Sequence, residues 1–289
     1  MPSKMKRAIC TIVIPAYNEA AVIGRTLTSL TRGARGGEFE VIVVCNGCAD
    51  NTAKLAQKAD PNVNVIELVQ PSKTNALNVG IAAATCNQIV FLDADIQTSS
   101  EAVRMLLHRL TWSGAYLAYG TAIFKTQHCS WPVKAFYRAW QQNPYFDKKK
   151  MGGFFALSKA GLSRLGLIPE TTNDDEYVRR SLECCATWAE KATYSVEAPR
   201  RITDLIKVRS RIYRGNAELE QGPTSFGVKT RKANMLIFVR RLWCQPTIWP
   251  GALVFAFTAI AAHLRNRIVP GAERNWETDT STRSGLLGR

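Results

Sequence analysis

The residues with the plainest chemical potential are carboxylates in two short clusters. The stretch "IVFLDAD" runs four apolar residues, Ile89 to Leu92, into Asp93 and Asp95, separated by Ala94. In an extended segment residues i and i+2 point to one side, which would set two hard oxygen ligands together while Ala94 keeps the other side small. A divalent cation such as Mn2+ or Mg2+, which takes one or two carboxylates and completes its shell with water and phosphate oxygens, needs that sparse arrangement. The competing explanation is a strand-end turn whose Asp caps the next helix. Ser99, Ser100 and Glu101 already supply that cap signal.

The second cluster lies in "TNDDEYVRRSLECC". Asn173 followed three residues later by Glu176 reads as a capping box, and Asp174 and Asp175 suit the positive end of a helix. Val178, Leu182 and Cys185 define a buried face and leave Asp175 on a different side, where it could meet a substrate. A carboxylate at a helix N-terminus is favoured in its ionised form, which suits a base that removes a hydroxyl proton. The structural and the catalytic explanations both remain open at this level.

Weaker signals surround these two. "CNGC", Cys45 to Cys48, has the spacing of a redox or zinc pair, but a second pair for a four-ligand zinc site is missing. A thioredoxin-like role stands against two small residues in a loop. Gly152-Gly153 before "FFALS" would let backbone approach a ligand closely, or simply turn into a strand. In "KVRSRIYRGN", Arg209 or Arg211 could bind a diphosphate or lie on a solvated face. His263 is a lone polar residue at a helix end.

These residues need elements to position them. Four β-rich runs, Ile9 to Ile14, Phe39 to Val44, Val63 to Leu68 and Gln88 to Leu92, alternate with helical patterns. Val22, Ile23, Leu27 and Leu30 mark one helix, Ala76, Leu77, Gly80 and Ile81 another, and Val103, Leu106, Leu107 and Leu110 a third. Such alternation predicts an α/β fold with a parallel sheet covered on both faces. Ligands bind outside the carboxyl ends of such strands, so Pro15 to Glu19, Cys45 to Gly47, Gln70 to Lys73 and Asp93 to Asp95 converge on one rim. Neither a dinucleotide fingerprint nor a P-loop is present.

With 289 residues, 46% of them hydrophobic, the chain is long enough for one large domain with an appendage. Its net charge of +15 suits nucleic acid, anionic membrane or phosphate-bearing substrates. No zinc-finger, RNP-like or basic-zipper pattern occurs, so no nucleic-acid partner is expected. Eight cysteines in a chain of this size, two of them adjacent, point to a reducing cytosol. Pro15, Asn18 and Glu19 interrupt the opening apolar run, so it is not expected to act as a signal sequence.

In order and spacing, "TIVIPAYNEAAVIGRTLTSL", "VIVVCNGCADNTAKLA", "SKTNALNVGIAAA" and "FLDAD" resemble the donor-binding half of the family 2 glycosyltransferases. A looser similarity continues through "MGGFFALSKAGL" and "TTNDDEYVRRSL". The resemblance implies a GT-A fold, Rossmann-like with a mixed, mostly parallel sheet flanked by helices. It also implies an inverting enzyme that uses a nucleoside-diphosphate sugar, with a UDP-sugar the expected donor, and a divalent metal. By it, the loop Pro15, Ala16, Tyr17 to Glu19 lines base and ribose, Lys73 lies near base or diphosphate, Asp93 contacts ribose, and Asp95, with Asp93, the metal. Ala94 belongs to the same donor motif. Asp174 and Asp175 match the acidic pair, with Asp175 as general base, and Gly152 and Gly153 lie beside donor sugar and acceptor. Cys45-Asn46 departs from the carboxylate that many members place beside the base, and Asn46 is retained as a donor-binding candidate. Where processive members carry Q-x-x-R-W this chain has Val208, Arg211 and Ile212, so only the arginine remains and synthesis of a long homopolymer is not expected.

Toward the C-terminus, Ile248 to Leu264 is apolar and flanked by Arg240, Arg241, Arg265 and Arg267. At that length it is short for a span, and it reads as an interfacial or re-entrant helix with Trp243 and Trp249 at headgroup level, or as a helix buried against protein. The expected organisation is a catalytic domain over 1–225, a basic, apolar helical segment over 226–270 that associates with membrane or docks, and a mobile tail over 271–289. The expected placement is cytoplasmic and peripheral, on the inner face of the cell membrane, with a lipid-linked or glycan acceptor.

Overall fold

The computed structural model describes residues 8–147, 150–221 and 229–268; the expectation for the tail over 271–289 lies outside them. The four apolar runs form β1 (Cys10–Ala16), β2 (Phe39–Asn46), β3 (Asn64–Leu68) and β4 (Ile89–Leu92). Between them lie α1 (Ile23–Thr31), α2 (Thr52–Ala59) and α3 (Lys73–Ala83). Strand β5 (Gln97–Thr98), α4 (Ser100–Ser113), β6 (Leu117–Lys125), α5 (Trp131–Trp140), β7 (Phe154–Leu157) and α6 (Lys159–Leu165) follow. The chain continues through α7 (Asp174–Ser181), β8 (Ala186–Glu197), α8 (Ile202–Gln221), α9 (Lys229–Trp243) and α10 (Trp249–Ile268).

The eight strands make one mixed sheet in the order β3-β2-β1-β4-β7-β6-β8-β5. Strands β1 to β4 pair in parallel, with Ala16 opposite Cys45 and Val13 opposite Phe91, while β7 joins β4 antiparallel. The carboxyl ends of β1, β2, β3 and β4 therefore share one rim, as the sequence pattern predicts. Alternation along β1 sends Cys10, Ile12, Ile14 and Ala16 into the cluster under α1 and α4, and Val13 into the cluster on the opposite face. On that face Gly80 of α3 packs so closely that a Cβ would overlap Val13 Cγ1. Ser99 caps α4 by accepting the Ala102 N–H at 3.1 Å, so that helix needs no Asp for its start.

Two compact units emerge. The first comprises the chain up to Ile123, Met151–Glu170 and Asp174–Val196; the second comprises Phe124–Lys150, Thr171–Asn173 and the chain from Glu197 on. The second unit thus takes in α5 and α8 besides the C-terminal helices. Within it, α10 meets α5 where a Cβ on Gly251 would overlap the Ala135 carbonyl, and Phe255 stacks on Phe136 at 5.3 Å. Asn266 donates to the Ser210 carbonyl at 3.0 Å, fastening α10 to α8.

The C-terminal helix is longer than the sequence pattern suggests. Arg265 and Arg267 do not end it, and Pro246–Ile268 spans 23 residues with an 18-residue window of mean hydropathy 1.5, which is long and apolar enough to cross a membrane by length and composition alone. Only 17% of its most apolar window is buried within the protein. Gly251, Thr258 and Ala262 form its packed side, whereas Leu253, Phe257, Ile260, Leu264 and Ile268 are exposed.

The first unit also holds an acid-sensitive clamp. Arg104 of α4 grips Glu38 with its Nε at 2.7 Å and Nη2 at 2.8 Å, and that hydrogen bonding pulls the Glu38 carboxyl down from 4.5 to about 2. A lowered carboxyl pKa adds stability above the unfolded value and loses it as pH falls through the folded one. Midpoints of thermal unfolding should therefore fall from pH about 4.5 toward about 2, and Arg104→Leu should remove this part of the slope while keeping the midpoint's response to Asp and Glu elsewhere.

Candidate functional site

Helix α3 begins at the rim. Ser72 caps it, its hydroxyl accepting the Asn75 N–H at 3.1 Å, and this places Lys73 in the first turn. Glu170 fixes the start of the helix from outside, accepting from Ser72 Oγ at 2.8 Å and from Thr74 Oγ1 at 2.6 Å. The Lys73 ammonium reaches Asp93 Oδ1 at 2.8 Å and Asp174 Oδ1 at 3.0 Å, so one cation bridges the ends of β4 and α7. Although burial opposes it, Asp174 and Asp93 hold Lys73 well above the usual lysine range. Burial raises the Asp174 carboxyl, and Lys73 offsets part of that rise.

The two acids of α7 are thereby separated. Asp174 points inward on the same face as Val178 and is 8% exposed at its side chain. Asp175 is half-buried and its Oδ1 accepts the Glu176 N–H at 2.8 Å. The expected capping box does not form as written: Glu176 is held by Arg179 at 2.8 Å and Arg180 at 2.8 Å instead of reaching back to Asn173. Asn173 donates its side-chain amide to Asn216 at 2.9 Å. Cys185 also leaves the predicted face, because the helix ends at Ser181 and Cys185 sits in a short 3-10 turn.

The D-x-D segment is a turn and not an extended strand end. Ile96 N–H donates to the Asp93 carbonyl at 3.1 Å, while the Ala94 carbonyl accepts from Thr26 Oγ1 at 2.7 Å. Ala94 and Ile96 are both buried in the core under α1 and α4, so the chain bends to seat them and leaves Asp93 and Asp95 half-exposed. The pair is brought to the rim by this bend, where pleating was expected to do so.

Gly152 and Gly153 are required by close approach. The Asp93 N–H donates to the Gly153 carbonyl at 2.9 Å, and a Cβ on Gly153 would overlap the Asp93 carboxylate. A Cβ on Gly152 would sit 2.5 Å from the Tyr194 hydroxyl. Gly153→Ala is expected to lose about 1–3 kcal/mol in denaturant unfolding, the usual range for an added methyl with no space to enter.

On the β1 side, Pro15 and Ala16 are the buried last residues of the strand, and only Tyr17, Asn18 and Glu19 leave it. Glu19 is buried, its carbonyl accepting from Val22 and Ile23 at 2.9 Å, so its backbone starts α1. Asn46 is fully buried. Its Nδ2 donates to the Ala16 carbonyl at 2.8 Å, and its Oδ1 has no partner. Arg211 lies half-buried on α8 in the second unit. Its neighbour Arg209 is no solvated charge: 8% exposed, it stacks on Trp140 at 5.0 Å and Tyr213 at 4.9 Å.

Among the described residues no group of three or more His, Cys, Asp or Glu side chains is gathered for a metal. The rim offers two hard oxygen ligands, Asp95 and Asp93, the latter giving its Oδ1 to Lys73, while the buried Asp174 is tied to the same lysine. That set suits a divalent cation that keeps waters and takes phosphate oxygens, and does not suit a closed, all-protein metal cage. Sequence reasoning missed the Lys73 bridge and the role of Glu170; the partners of Lys73 come from elements far apart in the chain, and the only local signal was Ser72 as a cap.

The model of glycosyl transferase family 2 matches residues 11–163, over half of the chain. A poly-beta-1,6-N-acetyl-D-glucosamine synthase of Staphylococcus aureus is 33% identical over 95 residues, 32% of this chain and 23% of that protein. An undecaprenyl-phosphate 4-deoxy-4-formamido-L-arabinose transferase of Shewanella sediminis is 30% identical over 104 residues, 34% of this chain and 31% of that protein. The match spans less than a third of either curated relative. Among solved structures, a mannosyltransferase from Pyrobaculum calidifontis in complex with GDP-Man and Mn2+ aligns with a TM-score of 0.63 at 18% identity, covering 93% of this chain and 89% of its own. Glucosyl-3-phosphoglycerate synthase from Mycobacterium tuberculosis, in complex with Mn2+ and UDP-glucose, aligns with a TM-score of 0.51 at 21% identity, covering 73% and 80%.

Proposed function

The chain belongs to glycosyl transferase family 2 and has the GT-A fold, and from that premise we propose that it moves a sugar from a nucleoside-diphosphate sugar to an acceptor hydroxyl with inversion. The observation that carries this reading is the rim constellation: Lys73 bridging Asp93 and Asp174, with Asp95 on the same turn and Asp175 beside Asp174.

In this reading Tyr17 to Glu19 flank the base, and Asn46, buried behind them, braces the end of β1 through the Ala16 carbonyl. UDP-sugars are the first donors to test. Lys73 and the α3 N-terminus face the diphosphate, and the Gly152–Gly153 backbone, packed against Tyr194 and Asp93, lies beside donor sugar and acceptor. Asp93 and Asp95 would hold Mn2+ or Mg2+, which supplies charge neutralisation for the departing nucleoside diphosphate. Asp175 removes the acceptor hydroxyl proton as that oxygen attacks the anomeric carbon, and Asp174 keeps Lys73 in place. One base opposite one leaving group gives a single displacement, so configuration inverts and no covalent nucleophile is required.

The acceptor is lipid-linked or a glycan, and the enzyme works at the cytoplasmic membrane face. The exposed stripe of α10, with Trp243 and Trp249 5.7 Å apart and Arg265 and Arg267 at the helix end, supports an anionic membrane surface as partner. Domain roles follow: catalysis over 1–225 and membrane contact or docking over 226–270. Phe257→Glu should shift the protein from anionic vesicles to the supernatant in a flotation assay, by about tenfold.

Thermal unfolding with UDP-, GDP- and dTDP-sugars, with and without Mn2+, on the wild type and Asp95→Asn, tests the donor site without needing an acceptor. A ligand at 100 times its Kd stabilises by about 2.7 kcal/mol. A Mn2+-dependent shift for one nucleotide class that vanishes in the variant is the expected result; no shift with any donor would overturn the reading.

A further inference from the structure

The pair Cys45 and Cys48 has no task in the transfer, yet it joins two of the loops that flank the rim. Cys45 is the penultimate residue of β2 and 1% exposed, whereas Cys48 lies beyond the strand and is half-buried. Gly47 between them turns at φ 68, its N–H donating to the Leu68 carbonyl at 2.8 Å. Cys48 Sγ lies 3.4 Å from the Ala16 carbonyl, and Ala16 is the β1 residue that pairs with Cys45, so both cysteines meet at one strand end. The neighbouring Cys45, helped by the Asn18 N–H and the Thr52 hydroxyl, pulls Cys48 down to about 7, while Cys48 and burial push Cys45 up. One sulfur is half-buried and ionises more readily than a free thiol, and the other is buried and held protonated, the asymmetry of an attacking and a resolving cysteine.

Cys48 also latches the segment that follows β1. Its sulfur accepts the Asn18 N–H at 3.4 Å and donates to the Ala16 carbonyl at 3.4 Å. Asn18 has a left-handed φ of 53, a conformation that Asn enters more readily than other non-glycine residues. A second tie comes from the Ala49 N–H, which donates to Asn18 Oδ1 at 2.8 Å.

We infer that Cys45 and Cys48 are a modification site, closing to a reversible disulfide on reaction with a hydroperoxide and thereby loosening the Tyr17–Glu19 loop and weakening nucleotide binding. The nucleotide part rests on the donor site proposed above. In the first step the Cys48 thiolate attacks a peroxide oxygen: an S–O bond forms, the O–O bond breaks, and the other oxygen takes a proton and leaves as water or an alcohol. The Cys45 sulfur then attacks the sulfenic sulfur. An S–S bond forms, the S–O bond breaks, and the departing hydroxide takes the Cys45 proton as water. Two electrons pass from the thiols to the peroxide. In the disulfide, Cys48 has neither the proton that its thiol donates to the Ala16 carbonyl nor the charge that its thiolate offers the Asn18 N–H.

The test uses the full chain carrying Cys184→Ser and Cys185→Ser, which removes the other adjacent thiols, 3.5 Å apart. After hydrogen peroxide, peptide mapping should show the 45–48 segment lighter by two hydrogens and closed to alkylation until dithiothreitol is added, and Cys48→Ser should show neither change. Affinity for a UDP-sugar with Mn2+ should fall about tenfold on oxidation, the scale of two lost hydrogen bonds, recover on reduction, and not respond to peroxide in Cys48→Ser. Cysteines that stay alkylatable, or a Cys48 carried on to sulfinic acid, would overturn the site. A disulfide with unchanged affinity would overturn the coupling. If the reduced protein binds no nucleotide, the donor reading fails separately, and amide exchange at Asn18 and Ala49 then judges the coupling, expected to quicken on oxidation.

Discussion

Replacing Lys73 with methionine is expected to cost about 3 kcal/mol of stability, the low end of the range for breaking a buried ion pair. The reason is what remains behind: Asp174, 8% exposed, and Asp93, 32% exposed, would face each other without the cation that holds them at 3.0 and 2.8 Å. The low end applies because Asp93 and the lysine itself keep contact with solvent, which screens part of the loss. The pH dependence carries a distinctive sign. Burial already raises the Asp174 carboxyl, and losing Lys73 would raise it further. A carboxyl raised above its unfolded value adds stability while it is protonated and loses it as pH climbs through the folded pKa. Lys73→Met should therefore be closest to wild type in acid and fall away toward neutral pH, opposite in slope to the Glu38 clamp. Denaturant midpoints across that range measure it. Asp174→Asn placed in the Lys73→Met background should recover much of the stability, since the neutral amide needs no counter-ion, yet restore no donor binding. A pair of variants that simply add would show that the bridge is not the coupling.

The first half of the sheet is legible in the sequence because its strands are continuous apolar runs with helical spacing between them, and a strand buried on both faces can hardly be written otherwise. The second half is less so. Strand β8, "ATWAEKATYSVE", buries Ala189, Ala192 and Tyr194, and small residues give a faint period. The carboxylates were visible as residue types, but the bend that presents Asp93 and Asp95 depends on Thr26 holding the Ala94 carbonyl, a contact 68 residues away in sequence. Likewise Asp174 and Asp175 look alike on paper. What separates them is the position of Lys73, which no local spacing encodes. At α10 an apolar face is the same signal whether lipid or protein will cover it; the structure assigns Gly251, Thr258 and Ala262 to protein and leaves Leu253, Phe257 and Ile260 uncovered.

That separation of the two acids makes the last prediction sharp. Asp174 is tied to the lysine and points inward, so it cannot take a proton from an incoming hydroxyl without releasing Lys73. Asp175 is half-buried, on a different side from Val178, and its Oδ1 is steadied by the Glu176 N–H at 2.8 Å. Asp175→Asn keeps that hydrogen bond and the helix start while removing the basic oxygen pair. With a hydroxyl acceptor, turnover should drop about 100- to 10,000-fold, the range for loss of a general base, with donor affinity within about twofold of wild type. Asp174→Asn should show the reverse pattern, weakened donor binding through a misplaced Lys73 and a smaller loss in the chemical step. The acceptor decides how far the first effect extends. A phosphate oxygen arrives already ionised and needs no base, so an Asp175→Asn enzyme that still glycosylates a polyprenyl phosphate at near wild-type rate would move the acceptor from hydroxyl to phosphate, leaving the rim constellation and its donor in place.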